Sequence, residues 1–257
     1  MKQTRLIMGM PICIEILDSQ VSLADFRKVF HLFRKIDAQF SPYKKTSEVS
    51  RLNCKEIDFS FVSEDMHEIL ELAEKAKETT DGYFDVFAKG YFDPSGIVKA
   101  WAIGKADKFL RELGFANFFI NAGGDIQVRG HNQEGKVWTV GIRHPFEHNK
   151  IVKRLAIQGG IATSGTYLRG DHIFDPHEKN KRIDEIVSLT VIAPDVLQAD
   201  LLATAAFAMG RKGINFLAKQ KDVEAYMIDR EGIATFTSGF VRFTLESSFP
   251  PLQNTYA

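Results

Sequence analysis

At 257 residues, with 44% hydrophobic and 26% charged residues, the chain has the composition of a globular protein that buries a sizeable core. Lys plus Arg and Asp plus Glu both number 33, so the formal net charge is zero, which removes the basic footprint of a nucleic-acid binder. No apolar run reaches the roughly 18 residues of a membrane-spanning helix, and two unspaced cysteines, Cys13 and Cys54, exclude a disulfide framework.

Residues 4–17 read as one strand, with Ile12, Ile14 and Ile16 alternating. No apolar helical stretch there precedes a small-residue cleavage site, so an unprocessed, cytoplasmic chain is expected. A helix is predicted over 22–40 from the spacing of Phe26, Val29, Phe30, Phe33, Ile36 and Phe40, ended by Pro42. A second fits 64–79, and a third fits 97–113, stopping at Gly114. The texture then changes. Strands are predicted over 117–121, 125–130, 136–143, 151–158 and 186–193, then helices over 198–209 and 213–220. Strands at 224–229, 233–237 and 240–245 follow, and the last residues read as a surface extension. Runs of helices and runs of strands, without strict alternation, predict an α+β fold: a largely antiparallel sheet with flanking helices. No Pro/Gly/Ser-rich linker appears. The expectation is one unit over 1–257, with a helical part at about 1–115, a sheet-rich part at about 116–246 and a tail at 247–257.

Five polar islands interrupt the apolar segments: 40–53 (FSPYKKTSEVSRLN), 81–104 (DGYFDVFAKGYFDPSGIVKAWAIG), 120–130 (INAGGDIQVRG), 161–176 (IATSGTYLRGDHIFDP) and 199–210 (ADLLATAAFAMG). Small polar groups beside buried runs need partners, and a ligand is one way to supply them. In the last island Asp200 and Thr204 lie four residues apart in a helical stretch, so their oxygens share a face. That pair suits a hard cation such as Mg²⁺; the plainer reading is a capped, Ala-rich core helix. Capping of the third helix would account for Asp93 or Ser95, but not for Lys99, which sits among apolar neighbours and either snorkels or meets an anion. Tyr43, just past Pro42, reads as a turn tyrosine. Asn121 and Asp125 read mainly as loop-orienting residues, and the glycines between them do not form a dinucleotide-binding fingerprint. His172, flanked by Asp171 and followed by Asp175, is the candidate general base. A serine-hydrolase reading of Ser164 with His172 and Asp175 lacks the nucleophile elbow.

Taken in order, the islands resemble the ApbE family of FAD:protein FMN transferases. MGM at 8–10, FSPYKKTSEVSRLN, DGYFD, DPSGIVKAWA, INAGGD, ATSGTYLRGDHIFDP and ADLLATA each match a family segment, over about residues 8–210. Two departures stand out. Asp85 and Asp93 are much closer in sequence than in longer members, and Ala100 replaces the usual glycine after the lysine. The resemblance implies an ApbE-like, T-fold-related architecture with the FAD site between the helical and sheet-rich parts. It implies Mg²⁺ held by Asp200, Thr204 and the Gly96 carbonyl. It implies FAD contacts from Met8, Tyr43, Tyr83, Phe84, Asp85, Asp93, Lys99 and His172, with His172 as the catalytic base. The expected reaction moves FMN from FAD to a Ser or Thr hydroxyl of an acceptor flavoprotein and releases AMP, with no nucleic-acid partner and no membrane insertion. Two alternatives stay open: hydrolysis of FAD to FMN and AMP, and flavin binding without turnover.

Overall fold

The first apolar alternation folds back on itself. Met8 and Gly9 both have positive φ (56° and 71°), the geometry of a two-residue hairpin turn. Strand β1 (Lys2–Ile7) therefore pairs antiparallel with β2 (Met10–Ile16), and the expected single strand over 4–17 is corrected to a hairpin. The period-2 pattern continues through both strands, so nothing in it marks the reversal. The computed structural model describes residues 1–147, 149–166, 173–178, 182–245 and the backbone of 254–256.

Helix α1 (Leu23–Phe40) starts where the Ser22 N–H and hydroxyl both donate to Asp25 Oδ2 (3.1 and 2.7 Å), and it buries all six apolar residues of its predicted stripe. A short helix α2 (Glu48–Asn53), inside the first polar island, is capped by Ser47, which accepts from the Ser50 N–H (3.1 Å). Helix α3 (Glu64–Thr79) has Ser63 as its cap. Helix α4 (Ser95–Glu112) ends at Gly114, whose φ of 85° carries the chain off the helix.

Strands β3 (Phe118–Ala122) and β4 (Asp125–Arg129) form the next hairpin. After β5 (Trp138–Arg143) and β6 (Ile151–Ile157) come β7 (Gly159–Gly165) and β8 (Ile186–Ala193). Helices α5 (Val196–Ala208) and α6 (Gly213–Leu217) lead to β9 (Glu224–Asp229), β10 (Ala234–Phe236), β11 (Thr244–Leu245) and β12 (Asn254–Tyr256). Among the described residues the large sheet runs β1-β2-β3-β4-β7-β8-β9-β10-β12, antiparallel except for the last pair, and β11-β6-β5 form a small second sheet. The α+β architecture with a largely antiparallel sheet is thus as the sequence predicts.

Three further corrections follow. β7 lies partly in a segment expected as loop; its GGIATSG sequence is poor in strand formers, but β4 and β8 supply both of its ladders. The expected strand over 240–245 is a 3₁₀ turn at Phe240–Phe243, with the Phe240 N–H bonded to the Thr237 carbonyl (3.0 Å), and only Thr244–Leu245 remain extended. The C-terminal extension contributes β12, parallel to β10.

The helices cover one face of the large sheet and the small sheet covers part of the other. On the helical face Ile12, Ile14 and Ile16 pack with Phe26, Phe30 and Phe33, while Ala162, Leu189 and Val191 pack under α5. On the opposite face Ile161, Ile192, Tyr226 and Ile228 meet Val140 and Leu155. Helix α5 approaches β7 so closely that a Cβ on Gly160 would lie 2.1 Å from the Val196 nitrogen. Gln127, buried in β4, accepts the Val196 N–H through Oε1 (2.9 Å) and so fixes the start of α5. These two contacts seat α5 on the sheet and carry Asp200 and Thr204 with it.

Candidate active site

The N-terminal turn of α4, the start of β4, the end of β7 and one side of α5 meet around a cavity of about 220 Å³. The segment 83–93 and the segment 173–176 complete its wall. Asn53 holds the approach to α4: its Oδ1 accepts the Phe92 N–H (3.0 Å), and its Nδ2 donates to the Phe92 carbonyl (2.8 Å). Asp93 Oδ1 then accepts the Ser95 N–H (3.1 Å) across Pro94, which itself occupies the N-cap position, so neither Asp93 nor Ser95 is the cap residue expected from sequence. Gly96 follows, where a Cβ would lie 3.3 Å from the Phe84 ring. Its backbone faces the cavity bare.

The charges do not balance. Asp85 pairs with Lys77 of α3 (3.0 Å), and Asp93 pairs with Lys89 (2.6 Å). The lysine beside Asp93 and the Ser95 bonds hold that carboxyl below its ordinary range, although burial alone would raise it. Deeper in, Lys99 faces two carboxylates: it is ion-paired with Asp125, and its Nζ lies 3.4 Å from Asp200 Oδ1. Asp125 and Asp200 are only 2% and 4% exposed. Among the described residues the pair of aspartates is therefore one positive charge short. Burial first, and then Asp125, push Asp200 up to about 7 against the opposing pull of Lys99.

This donor set fits a hard cation. Among the described residues it offers carboxylate, hydroxyl and carbonyl oxygens, and Asp200 Oδ2 is buried without a hydrogen-bond partner. Thr204 and Ser164 hydroxyls stand 3.5 Å apart on the same wall. Among the described residues no group of three or more His, Cys, Asp or Glu side chains gathers as a metal cluster.

A stability test follows from the raised Asp200 pKa. The folded value lies above the ordinary 3.8, so Asp200 contributes stability below about pH 4 that is lost as pH rises through about 7. Asp200→Asn leaves Lys99 and Asp125 as a balanced pair. In metal-free buffer the wild-type melting midpoint should fall relative to that variant between about pH 5 and pH 8, by about 5 °C, or roughly 2 kcal/mol. Parallel curves would show that Asp200 titrates as an ordinary carboxylate.

Most of the residues singled out by sequence meet here: Tyr83, Phe84, Asp85, Asp93, Gly96, Lys99, Asp200 and Thr204 all line the cavity. Met8 and Tyr43 do not. Met8 sits in the β1–β2 turn, and Tyr43 is 93% exposed beyond the end of α1. His172 lies outside the described residues. Asn121 orients its loop as expected, its Oδ1 accepting the Gly124 N–H (3.0 Å). Asp125 does more than the loop-orienting role expected of it. Its role depends on Lys99, which belongs to a different element, and no local spacing signals such a pair. Lys89 and Ser164 also line the cavity without having been read as ligand contacts.

Comparison with known proteins places the chain among relatives of one family. Among relatives, the FAD:protein FMN transferase of Vibrio cholerae serotype O1 is 30% identical over 171 residues, covering 63% of this chain and 49% of that protein. That of Escherichia coli K12 is 30% identical over 152 residues, covering 55% and 43%. The matched region thus spans about half the length of these relatives. In three dimensions the flavin transferase ApbE from Vibrio cholerae superposes with a TM-score of 0.83 at 23% identity, covering 95% of this chain and 98% of the other. An ApbE protein from Thermotoga maritima gives 0.85 at 20% identity, covering 96% and 99%. At these identities the likeness is one of fold. Among the described residues no helix is long and apolar enough to cross a membrane. The ApbE family pattern matches residues 8–92 and 87–227, two stretches that overlap within the short link before α4, and with that span matched the chain belongs to the ApbE family.

Proposed function

We propose that this chain transfers FMN from FAD to a Ser or Thr hydroxyl of an acceptor protein, with release of AMP. The observation that carries the reading is the buried Asp125–Lys99–Asp200 group, one positive charge short among the described residues, in a cavity whose lining matches the family's segments. Asp200, Thr204 and the Gly96 backbone would hold Mg²⁺, which when bound neutralises diphosphate charge and favours departure of AMP. Tyr83 and Phe84 offer aromatic surface to the dinucleotide, and Lys99 offers it a cation.

The acceptor oxygen bonds to the phosphorus on the FMN side of FAD. The bond from that phosphorus to the bridging oxygen breaks, and the bridging oxygen leaves on AMP. His172 takes the hydroxyl proton in this reading, because a Ser or Thr hydroxyl is a weak nucleophile until its proton is removed. The test is to incubate the protein with FAD, Mg²⁺ and candidate flavoprotein subunits and to weigh each subunit by mass spectrometry. A gain equal to FMN less one water, on a Ser or Thr, supports transfer. Free FMN and AMP with no acceptor adduct would make it a hydrolase, and intact FAD would make it a binder.

A further inference from the structure

The cavity wall formed by 173–176 is held by a contact that no motif accounts for. Ile173, Phe174 and Pro176 line the cavity, and the segment is tied at one end by a bridge between Phe174 and Arg182. At the other end stands His177. Its backbone N–H donates to Asp175 Oδ1 (2.9 Å), and its ring meets Tyr83 edge-on, with centroids 4.6 Å apart and planes at 69°. Its Nε2 lies 2.8 Å from the Asp81 carbonyl oxygen, which can only accept, so Nε2 carries the proton.

The receiving side is shaped for that ring. Asp81 and Gly82 both have positive φ (51° and 76°), a turn that presents the Asp81 carbonyl to the histidine. A Cβ on Gly82 would come within 3.2 Å of His177 Cε1, so a side chain there would crowd the ring. The same turn leads directly into Tyr83, Phe84 and Asp85 on the opposite cavity wall.

We propose that His177 is a positioning residue: a latch that joins the 173–178 wall to the 81–83 turn and so sets the width of the cavity that takes the dinucleotide. The proposal rests on the reading of that cavity as a FAD site, and one arm of its test does not. In His177→Ala without ligand, amide hydrogen exchange across 173–178 and 81–84 should speed up roughly tenfold, the scale of one hydrogen bond plus one ring contact. Exchange elsewhere should be unchanged, and the melting midpoint should move by less than about 2 °C. In the second arm, FAD titrated by its fluorescence should bind roughly tenfold more weakly. His177→Gln, which can still donate to the Asp81 carbonyl, should recover most of both losses.

Unchanged exchange in His177→Ala would overturn the latch. Faster local exchange with unaltered FAD affinity would overturn its role in setting the site. A general loss of protection, or no recovery with Gln, would make His177 an ordinary packing residue. If the wild-type protein bound no FAD, the functional reading would fail, and the exchange arm alone would decide whether the latch exists.

Discussion

Asp200→Ala should lower Mg²⁺-dependent FMN transfer at least about a hundredfold, the scale on which losing a metal's charged ligand acts. The reason is the arithmetic of the buried group. Lys99 can balance Asp125 or Asp200 but not both, so the site calls for a further cation only while both carboxylates are present. Without Asp200 the Lys99–Asp125 pair is neutral, and the buried oxygen that has no partner is gone. A folding defect is not the expected cause, because removing an excess buried charge relieves a desolvation penalty. The check is initial rate against Mg²⁺ concentration, alongside a melting curve. An unaltered Mg²⁺ response in a folded variant would overturn the site assignment.

His172→Ala should leave FAD affinity within a few-fold while transfer falls about a hundredfold, the usual contribution of a general base. With His172 intact, the rate should drop as pH falls through the imidazole pKa, near 6.5 when unperturbed, since only the neutral ring accepts a proton. In the alanine variant that acid limb should disappear. If the variant instead lost FAD binding and kept its rate at saturating FAD, His172 would be a ligand contact. Asp175 would then be the next base to test, although its Oδ1 is already engaged by the His177 N–H.

How much of this was legible in the sequence depended on whether a feature is local. Helices α1 and α3 were, because Phe26 to Phe40 and Met66 to Ala76 repeat at helical spacing on faces the fold then buries. So was the convergence of 83–99 with 200–204, through their likeness to family segments. The β1–β2 turn was not, since Met8 and Gly9 leave the alternation of apolar residues unbroken. β7 was not, because its first two positions are glycines: a Cβ on Gly159 would meet the Ala193 and Pro194 carbonyls and one on Gly160 the start of α5, so the strand opens without the side chains that would mark it. Asp125 was read as a turn residue because its partner Lys99 comes from another element. Tyr43 has the ring expected at a flavin, but the chain past Pro42 points it to solvent.

Lys99 and Asp200 meet only because α4 and α5 pack side by side on one continuous sheet, although they come from opposite halves of the chain. Such a site forms late, since its loop-closure cost falls due before any contact rewards it. On the proposed reading, an incompletely folded chain therefore has nothing with which to grip the dinucleotide. Ligand should leave the refolding rate almost unchanged and act on unfolding instead, slowing it about a hundredfold when present at about a hundred times its Kd, equivalent to roughly 2.7 kcal/mol. Occupancy would then act as a kinetic lock on the assembled chain, measurable by stopped-flow unfolding with and without FAD and Mg²⁺.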